Sequence, residues 1–212
     1  MNRPNENLAL LRGLYVLVGA SNPLPLARAA LRGGARIIQL RDHVTPRDEL
    51  RPTARELRRL TRDFGALCVV CDHLELAREV GADGLHLEWA PLSLEGARKE
   101  LEGEMLLSTG VSSVEQALEA QRAGADALGV GPVYATKSKP DASAPIGLEG
   151  LQAIQNAVAI PIAAIGGLDS SNIGAVETPM ACVFSALENL DGEAQIERVM
   201  RDLVRRFENR SL

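Results

Sequence analysis

Apolar residues recur along the chain in blocks of four or five, rich in Val, Ile and Leu and too short for helices; each is followed by a loop and an amphipathic stretch. The blocks are Leu14 to Val18, Arg36 to Leu40, Leu67 to Cys71, Gly84 to Leu87, Met105 to Ser108, Ala127 to Val130, Pro161 to Ile165 and Met180 to Phe184. Such blocks read as strands covered on both faces. Between them, Pro46 to Asp63 sets Leu50, Ala54, Leu57, Leu60 and Thr61 on one helical stripe, and Val114 to Ala123 and Leu148 to Val158 repeat the three-and-four spacing. Gly33-Gly34, Gly81 and Gly124 each follow a helical stretch and precede a strand, as left-handed C-caps do. Ser93 and Ser113, with Glu95 and Glu115 close behind, start two helices.

Eight such units predict an α/β fold, a single-domain parallel (β/α)8 TIM barrel. Residues 1–13 form a lead, 14–187 carry the barrel strands and 188–212 a C-terminal helix. The alternative is an open doubly wound sheet, but Val18-Gly19-Ala20-Ser21 stands where its G-x-G-x-x-G turn belongs.

With 46% hydrophobic and 24% charged residues in 212, the chain can bury a sizeable core and is not disordered. Its 23 basic and 28 acidic side chains give a net charge of −5, which argues against nucleic acid as a partner. No apolar run approaches the roughly 18 to 20 residues of a membrane span, and Met1 to Asn7 has no signal-peptide pattern. The chain reads as cytoplasmic, with no membrane partner; a homo-oligomer is compatible with the sequence. Three cysteines are too few for a disulfide scaffold, and Cys68 and Cys71 fall on opposite faces of one strand, which argues against a C-x-x-C redox or zinc pair.

A barrel places its chemistry at the carboxyl ends of the strands. There the second strand offers Gln39, Arg41 and His43 with a period of two. An inward arginine needs a ligand or a carboxylate, and Asp42 and Asp72 are neighbouring candidates. The third strand ends in Cys71-Asp72-His73 and the fourth in His86-Leu87-Glu88-Trp89. Asp72 suits either a ligand or the N-cap of a helix from His73 to Val80; His86 suits a satisfied core histidine, and Trp89 a packed cover. The sixth strand runs through Gly129, Gly131 and Pro132 into Thr136-Lys137-Ser138-Lys139, a loop whose glycines admit a ligand and whose lysines suit phosphate. Gly166-Gly167 after the seventh strand and Phe184-Ser185 after the eighth match the usual barrel phosphate cradle.

Taken in order, Gln39-Leu40-Arg41, Gly81-Ala82-Asp83-Gly84-Leu85-His86-Leu87, Gly129-Val130-Gly131-Pro132-Val133 with Thr136, Ser138 and Lys139, Ala164-Ile165-Gly166-Gly167 with Asn172, and Ser185-Ala186 resemble the thiamine phosphate synthase and thiazole tautomerase superfamily, from about Leu14 to Leu187. The resemblance implies a magnesium-dependent transferase for small phosphorylated substrates: hydroxymethylpyrimidine diphosphate joins a thiazole phosphate, and pyrophosphate leaves. It implies that Gln39 holds the pyrimidine, Arg41 and Lys139 the diphosphate, and Asp72 the Mg2+. Thr136 and Ser138 would contact substrates, and Gly167 with Ser185, beside Phe184, would cradle the thiazole phosphate.

The chain departs from that pattern. His43 replaces a lysine and Cys71 an asparagine, both at substrate-facing positions; Gly110 replaces a diphosphate-binding serine. Glu88-Trp89-Ala90-Pro91 replaces Gly-Gln-x-Asp, which leaves Glu88 as the candidate second metal ligand, and Glu177-Thr178-Pro179 shortens the lead into the eighth strand. His43 would then serve the diphosphate in place of the lysine. A tautomerase would need another acid-base group, since Ser112 occupies its histidine position, and His43, His86 and Cys71 are the candidates. A barrel that binds a phosphorylated ligand without turning it over is the third reading.

Overall fold

The computed structural model describes residues 6–19, 23–88, 92–101, 105–136 and 143–209. Eight parallel strands close into a barrel in chain order: β1 (Gly13–Val18), β2 (Ile37–Leu40), β3 (Leu67–Cys71), β4 (Gly84–Leu87), β5 (Leu106–Val111), β6 (Ala127–Val130), β7 (Ile162–Ile165) and β8 (Met180–Val183). Closure comes from β8 pairing with β1, which sets Tyr15 opposite Cys182. This is the (β/α)8 barrel predicted from the strand-helix repeat. Among the described residues no helix is long and apolar enough to cross a membrane.

Helices α1 (Pro23–Arg32), α2 (Arg47–Asp63), α3 (Leu74–Val80), α4 (Leu94–Leu101), α5 (Val114–Arg122) and α6 (Gly147–Ala157) cover the sheet after the first six strands. The seventh connection differs from the repeat, carrying only a 3-10 turn, Ile173–Ala175. In the short approach to β8 that follows, Thr178 is buried and donates to the Met180 carbonyl at 2.6 Å. After β8 a single turn, α7 (Ser185–Glu188), precedes the long α8 (Glu193–Glu208), which packs on α1 and completes the outer ring.

The main core lies between sheet and helices. Leu14, Val16 and Val18 of β1 point outward into it, joined by Leu57 of α2, Leu107 of β5 and Leu203 of α8, all fully or almost fully buried. Two caps follow the sequence signals: the Ser93 hydroxyl accepts from Gly96 N at 3.1 Å and the Ser113 hydroxyl from Gln116 N at 3.3 Å. Of Gly33-Gly34 only Gly34 takes a positive φ; at Gly33 a Cβ would collide with Met200 of α8, so that residue is small because the helix passes close.

The Gly-Ala-Asp triplets before β4 and β6 share one device. Each glycine is left-handed, each alanine is buried, and each aspartate reaches back to the preceding strand. Asp83 Oδ2 accepts from Cys68 N at 2.8 Å and from Arg58 of α2 at 2.8 Å, while Asp126 accepts from Leu107 N at 2.8 Å and pairs with Arg98 of α4. These pairs lock helices to the amino-terminal end of the barrel, away from the strand ends that carry chemistry. Asp83→Ala, which leaves a half-buried arginine and a strand N–H unpartnered, is expected to lower the unfolding free energy by roughly 3 kcal/mol. Glu56→Ala, which breaks an exposed pair with Arg59, should leave the unfolding free energy almost unchanged. Urea denaturation of the two variants measures the contrast.

Candidate active site

Every second residue of each strand points into the barrel, and these inward positions line one cavity of about 530 Å³. On the β1 to β3 side the inward residues are large, with Tyr15, Leu17, Ile37, Gln39 and Val69. On the β4 to β7 side many are minimal: Gly84, Gly110, Ala127, Gly129, Gly131 and Ala163. Ile37, Val69, Leu106, Ala127, Ala163 and Met180 nevertheless pack into an apolar cluster of their own, and the interior is open at Gly110 and Gly129, where a Cβ would meet nothing closer than 3.8 Å. Gln39, Arg41, Glu88, Gly110, Thr136, Gly167, Phe184 and Ser185, all singled out in the sequence, line this cavity.

Arg41 and Glu88 face one another across the mouth. The guanidinium donates to both carboxylate oxygens, from Nε to Oε2 at 2.7 Å and from Nη2 to Oε1 at 3.1 Å, and this pairing holds Arg41 above its already high pKa. The carboxylate partner is thus Glu88, not Asp42 or Asp72. Asp42 instead builds the β2–α2 loop: its Oδ1 accepts from Val44 N and Thr45 N, each at 2.9 Å, and His43 is presented between them and the strand.

The His43 ring lies between two carboxylates, with Nδ1 3.3 Å from Asp72 Oδ2 and Nε2 3.5 Å from Glu88 Oε2. Asp72 does not cap α3, whose N-cap position is His73. It turns toward Glu88, accepting from Glu88 N through Oδ1 at 2.7 Å. Asp72 is the one non-glycine residue with positive φ among those described, at 58°, a conformation that aspartate tolerates better than most and that aims its carboxylate at the β4 end. Cys71, fully buried at an inward position of β3, completes the group, for its Sγ lies within 4.8 Å of ligand atoms of His43 and Glu88.

Deeper in the barrel, Tyr15 donates its hydroxyl to Gln39 Oε1, and burial pushes the phenol pKa well up, so it remains a donor. His86 Nδ1 lies 2.9 Å from the Ser108 hydroxyl, which in turn reaches the Leu85 carbonyl at 3.5 Å. Burial lowers the His86 pKa to about 4, which keeps the ring neutral at physiological pH.

On the opposite wall two loops meet backbone to backbone. Val133 N donates to Ile165 O at 2.8 Å and Tyr134 N to Gly166 O at 3.1 Å. A Cβ at Gly131 would strike the Ile165 carbonyl oxygen, and one at Gly167, with φ 63°, would come within 2.5 Å of Ala135 O. These glycines are required by the contact between the loops, and both line the cavity together with Ser185. Gly110 is different: a side chain there would meet nothing within 4 Å. Lys137, Ser138 and Lys139, with Trp89, lie outside the described residues.

Tyr15, Ser108, Thr109, Gln116 and Ser143 also line the cavity and were missed in the sequence. The first two were within reach, since the two-residue period that exposed Gln39 and Arg41 applies equally to β1 and β5.

The thiamine monophosphate synthase family model matches residues 14–187. The chain belongs to that family. Among its relatives, the thiamine-phosphate synthase of Moorella thermoacetica is 44% identical over 195 residues, covering 90% of this chain and 93% of that protein. That of Methanoregula boonei is 37% identical, covering 92% of each. The solved thiamine phosphate pyrophosphorylase from Pyrococcus furiosus superposes with a TM-score of 0.85 at 34% identity, over 95% of this chain and 98% of that one. Of the residues gathered at the mouth, Arg41 belongs to the Gln39-Leu40-Arg41 motif that matches the family, whereas His43, Cys71 and Glu88 are the positions read from the sequence as departures.

The neutral imidazole inside the barrel has a consequence for stability. Its folded pKa of about 4 lies below the ordinary 6.5, so the unfolded chain binds the extra proton first, and stability present above pH 6.5 falls as pH drops toward 4. His86→Asn should flatten that part of the profile, as read from thermal unfolding between pH 7 and 4.

Proposed function

We propose that this chain is a thiamine-phosphate synthase, a transferase that joins hydroxymethylpyrimidine diphosphate to a thiazole phosphate and releases pyrophosphate. The observation that carries the reading is the cavity itself: one space with the Arg41 guanidinium on one wall and the glycine-lined β6 and β7 loops with Ser185 on the other. Two phosphorylated substrates held at these walls would meet over Gly110 and Gly129. The names of the relatives support the same reaction. We read the enzyme as cytoplasmic, where its three buried thiols stay reduced.

In this reading the bond from the pyrimidine methylene carbon to the diphosphate oxygen breaks first, leaving a resonance-stabilised cation that the thiazole nitrogen captures. The protein's task is to hold the leaving anion and exclude water. Arg41 takes the diphosphate, joined by Lys139 from the loop. Gln39, whose Oε1 is engaged by Tyr15, keeps its amide N–H groups for the pyrimidine. Thr136 and Ser138 contact the substrates, the wide site at Gly110 accommodates them, and Gly167 with Ser185 and Phe184 holds the thiazole phosphate.

Magnesium suits part of this donor set. Mg2+ takes oxygen ligands, typically one or two carboxylates with the rest from phosphates and water. Asp72 can supply one such oxygen; Glu88 is held on both oxygens by Arg41 and fits less well. Bound there, Mg2+ would neutralise charge on the departing diphosphate. His43, between the two carboxylates, sets their spacing.

The purified protein, given both substrates with Mg2+, is expected to form thiamine phosphate, detected by mass spectrometry. Arg41→Ala should lower kcat/KM roughly 100-fold or more, since two charge-assisted bonds to phosphate are lost. Ligand binding without product from the intact protein would instead indicate a binding protein.

A further inference from the structure

We propose that His43, Cys71 and Glu88 form a binding site for a borderline divalent cation of the zinc class, chemically distinct from an oxygen-only magnesium site. Their imidazole nitrogen, sulfur and carboxylate oxygen lie within 4.8 Å of one another. His43 Nε2 and Glu88 Oε2 are 3.5 Å apart. Two ligands across a tetrahedral zinc, with bonds of about 2.0–2.3 Å, are separated by roughly that distance. The remaining approach is short, and His43, on the exposed β2–α2 loop, is the donor placed to make it.

The donor types decide the metal. Nitrogen, sulfur and oxygen together suit zinc or cobalt, whereas magnesium accepts oxygen and sheds its waters reluctantly. Three protein ligands leave a fourth position for water or a substrate oxygen, the pattern of zinc sites that remain open. The Glu88 charge is met by Arg41, and burial holds the Cys71 thiol protonated. When the cation binds, the Cys71 S–H bond gives its proton to solvent, a sulfur–metal bond forms, and Arg41 yields a Glu88 oxygen; no oxidation state changes. The inference rests on this donor set and not on the proposed reaction, so the two can fail separately.

The test is to titrate the full-length protein with Co2+, Zn2+ and Mg2+ salts in turn, without substrates. One Co2+ per chain is expected, with a thiolate-to-cobalt charge-transfer absorption that Zn2+ abolishes and an approximately 100-fold excess of Mg2+ does not. Cys71→Ser should remove the absorption. His43→Gln should weaken Co2+ binding at least the roughly 10-fold that even an outer partner of a metal site commands. Cobalt bound without the charge-transfer band, a band that survives in Cys71→Ser, or displacement by equimolar Mg2+ would each overturn the assignment. If Cys71→Ser does not fold, His43→Gln decides, because its exposed loop position tolerates substitution and unchanged Co2+ affinity there also overturns it.

Discussion

A parallel sheet that closes on itself through β8 and β1 gives every strand one column of side chains directed inward, and the size of those side chains decides what the barrel can hold. Here Ile37, Val69, Leu106, Ala127, Ala163 and Met180 pack together inside the barrel, while Gly110 and Gly129 leave space nearer the carboxyl ends. A barrel packed throughout would present a site only at its rim. This one is recessed where those glycines stand. The cavity is tolerated because the main apolar core lies on the other face of the sheet, between strands and helices, where Val16, Leu57, Leu107 and Leu203 are fully buried.

The two ends of the barrel use the same residue types for different work. At the amino-terminal end Asp83 and Asp126 bind strand N–H groups and helix arginines, so the charges of these two aspartates are matched within the protein. At the carboxyl end Asp72, Glu88, Arg41 and His43 form a cluster whose members are also paired, but through side chains that stand over an open cavity. Pairing avoids the penalty of a desolvated charge in either place. Only the second arrangement can exchange an internal partner for a ligand.

Much of the fold was legible because it depends on local signals. The apolar blocks located all eight strands to within a few residues, and Ser93, Ser113, Gly81 and Gly124 stand at helix ends as their chemistry requires. What was hidden depends on contacts distant in sequence. Helix α1, which opens on Pro23 and Pro25, packs on α8 from the far end of the chain. The seventh connection was expected to repeat the helix and has only a 3-10 turn, since the chain there must return to β8 in few residues. The site was legible strand by strand, through the two-residue period, but not across strands. Arg41 and Glu88 are 47 residues apart, and no sequence spacing shows that they would take each other instead of Asp42 or Asp72. The glycines of the β6 and β7 loops were read as ligand contacts, and the structure adds that Gly131 and Gly167 are first needed where the loops touch.

The Arg41–Glu88 pair also constrains how any anion enters. A half-buried guanidinium without a partner is unfavourable, and the carboxylate keeps Arg41 matched and oriented. An anion that binds Arg41 through Nε and Nη2 must displace Glu88, and a group with several negative charges can do so where a single carboxylate gains nothing by exchange. Glu88 would then be the uncompensated charge, left at a mouth that already holds Asp72. His43 Nε2, 3.5 Å from the same Glu88 oxygen, is the group placed to receive it, and its Nδ1 keeps contact with Asp72 at 3.3 Å. His43, read from the sequence as a departure from the family pattern, thus stands between the two carboxylates with one ring nitrogen toward each.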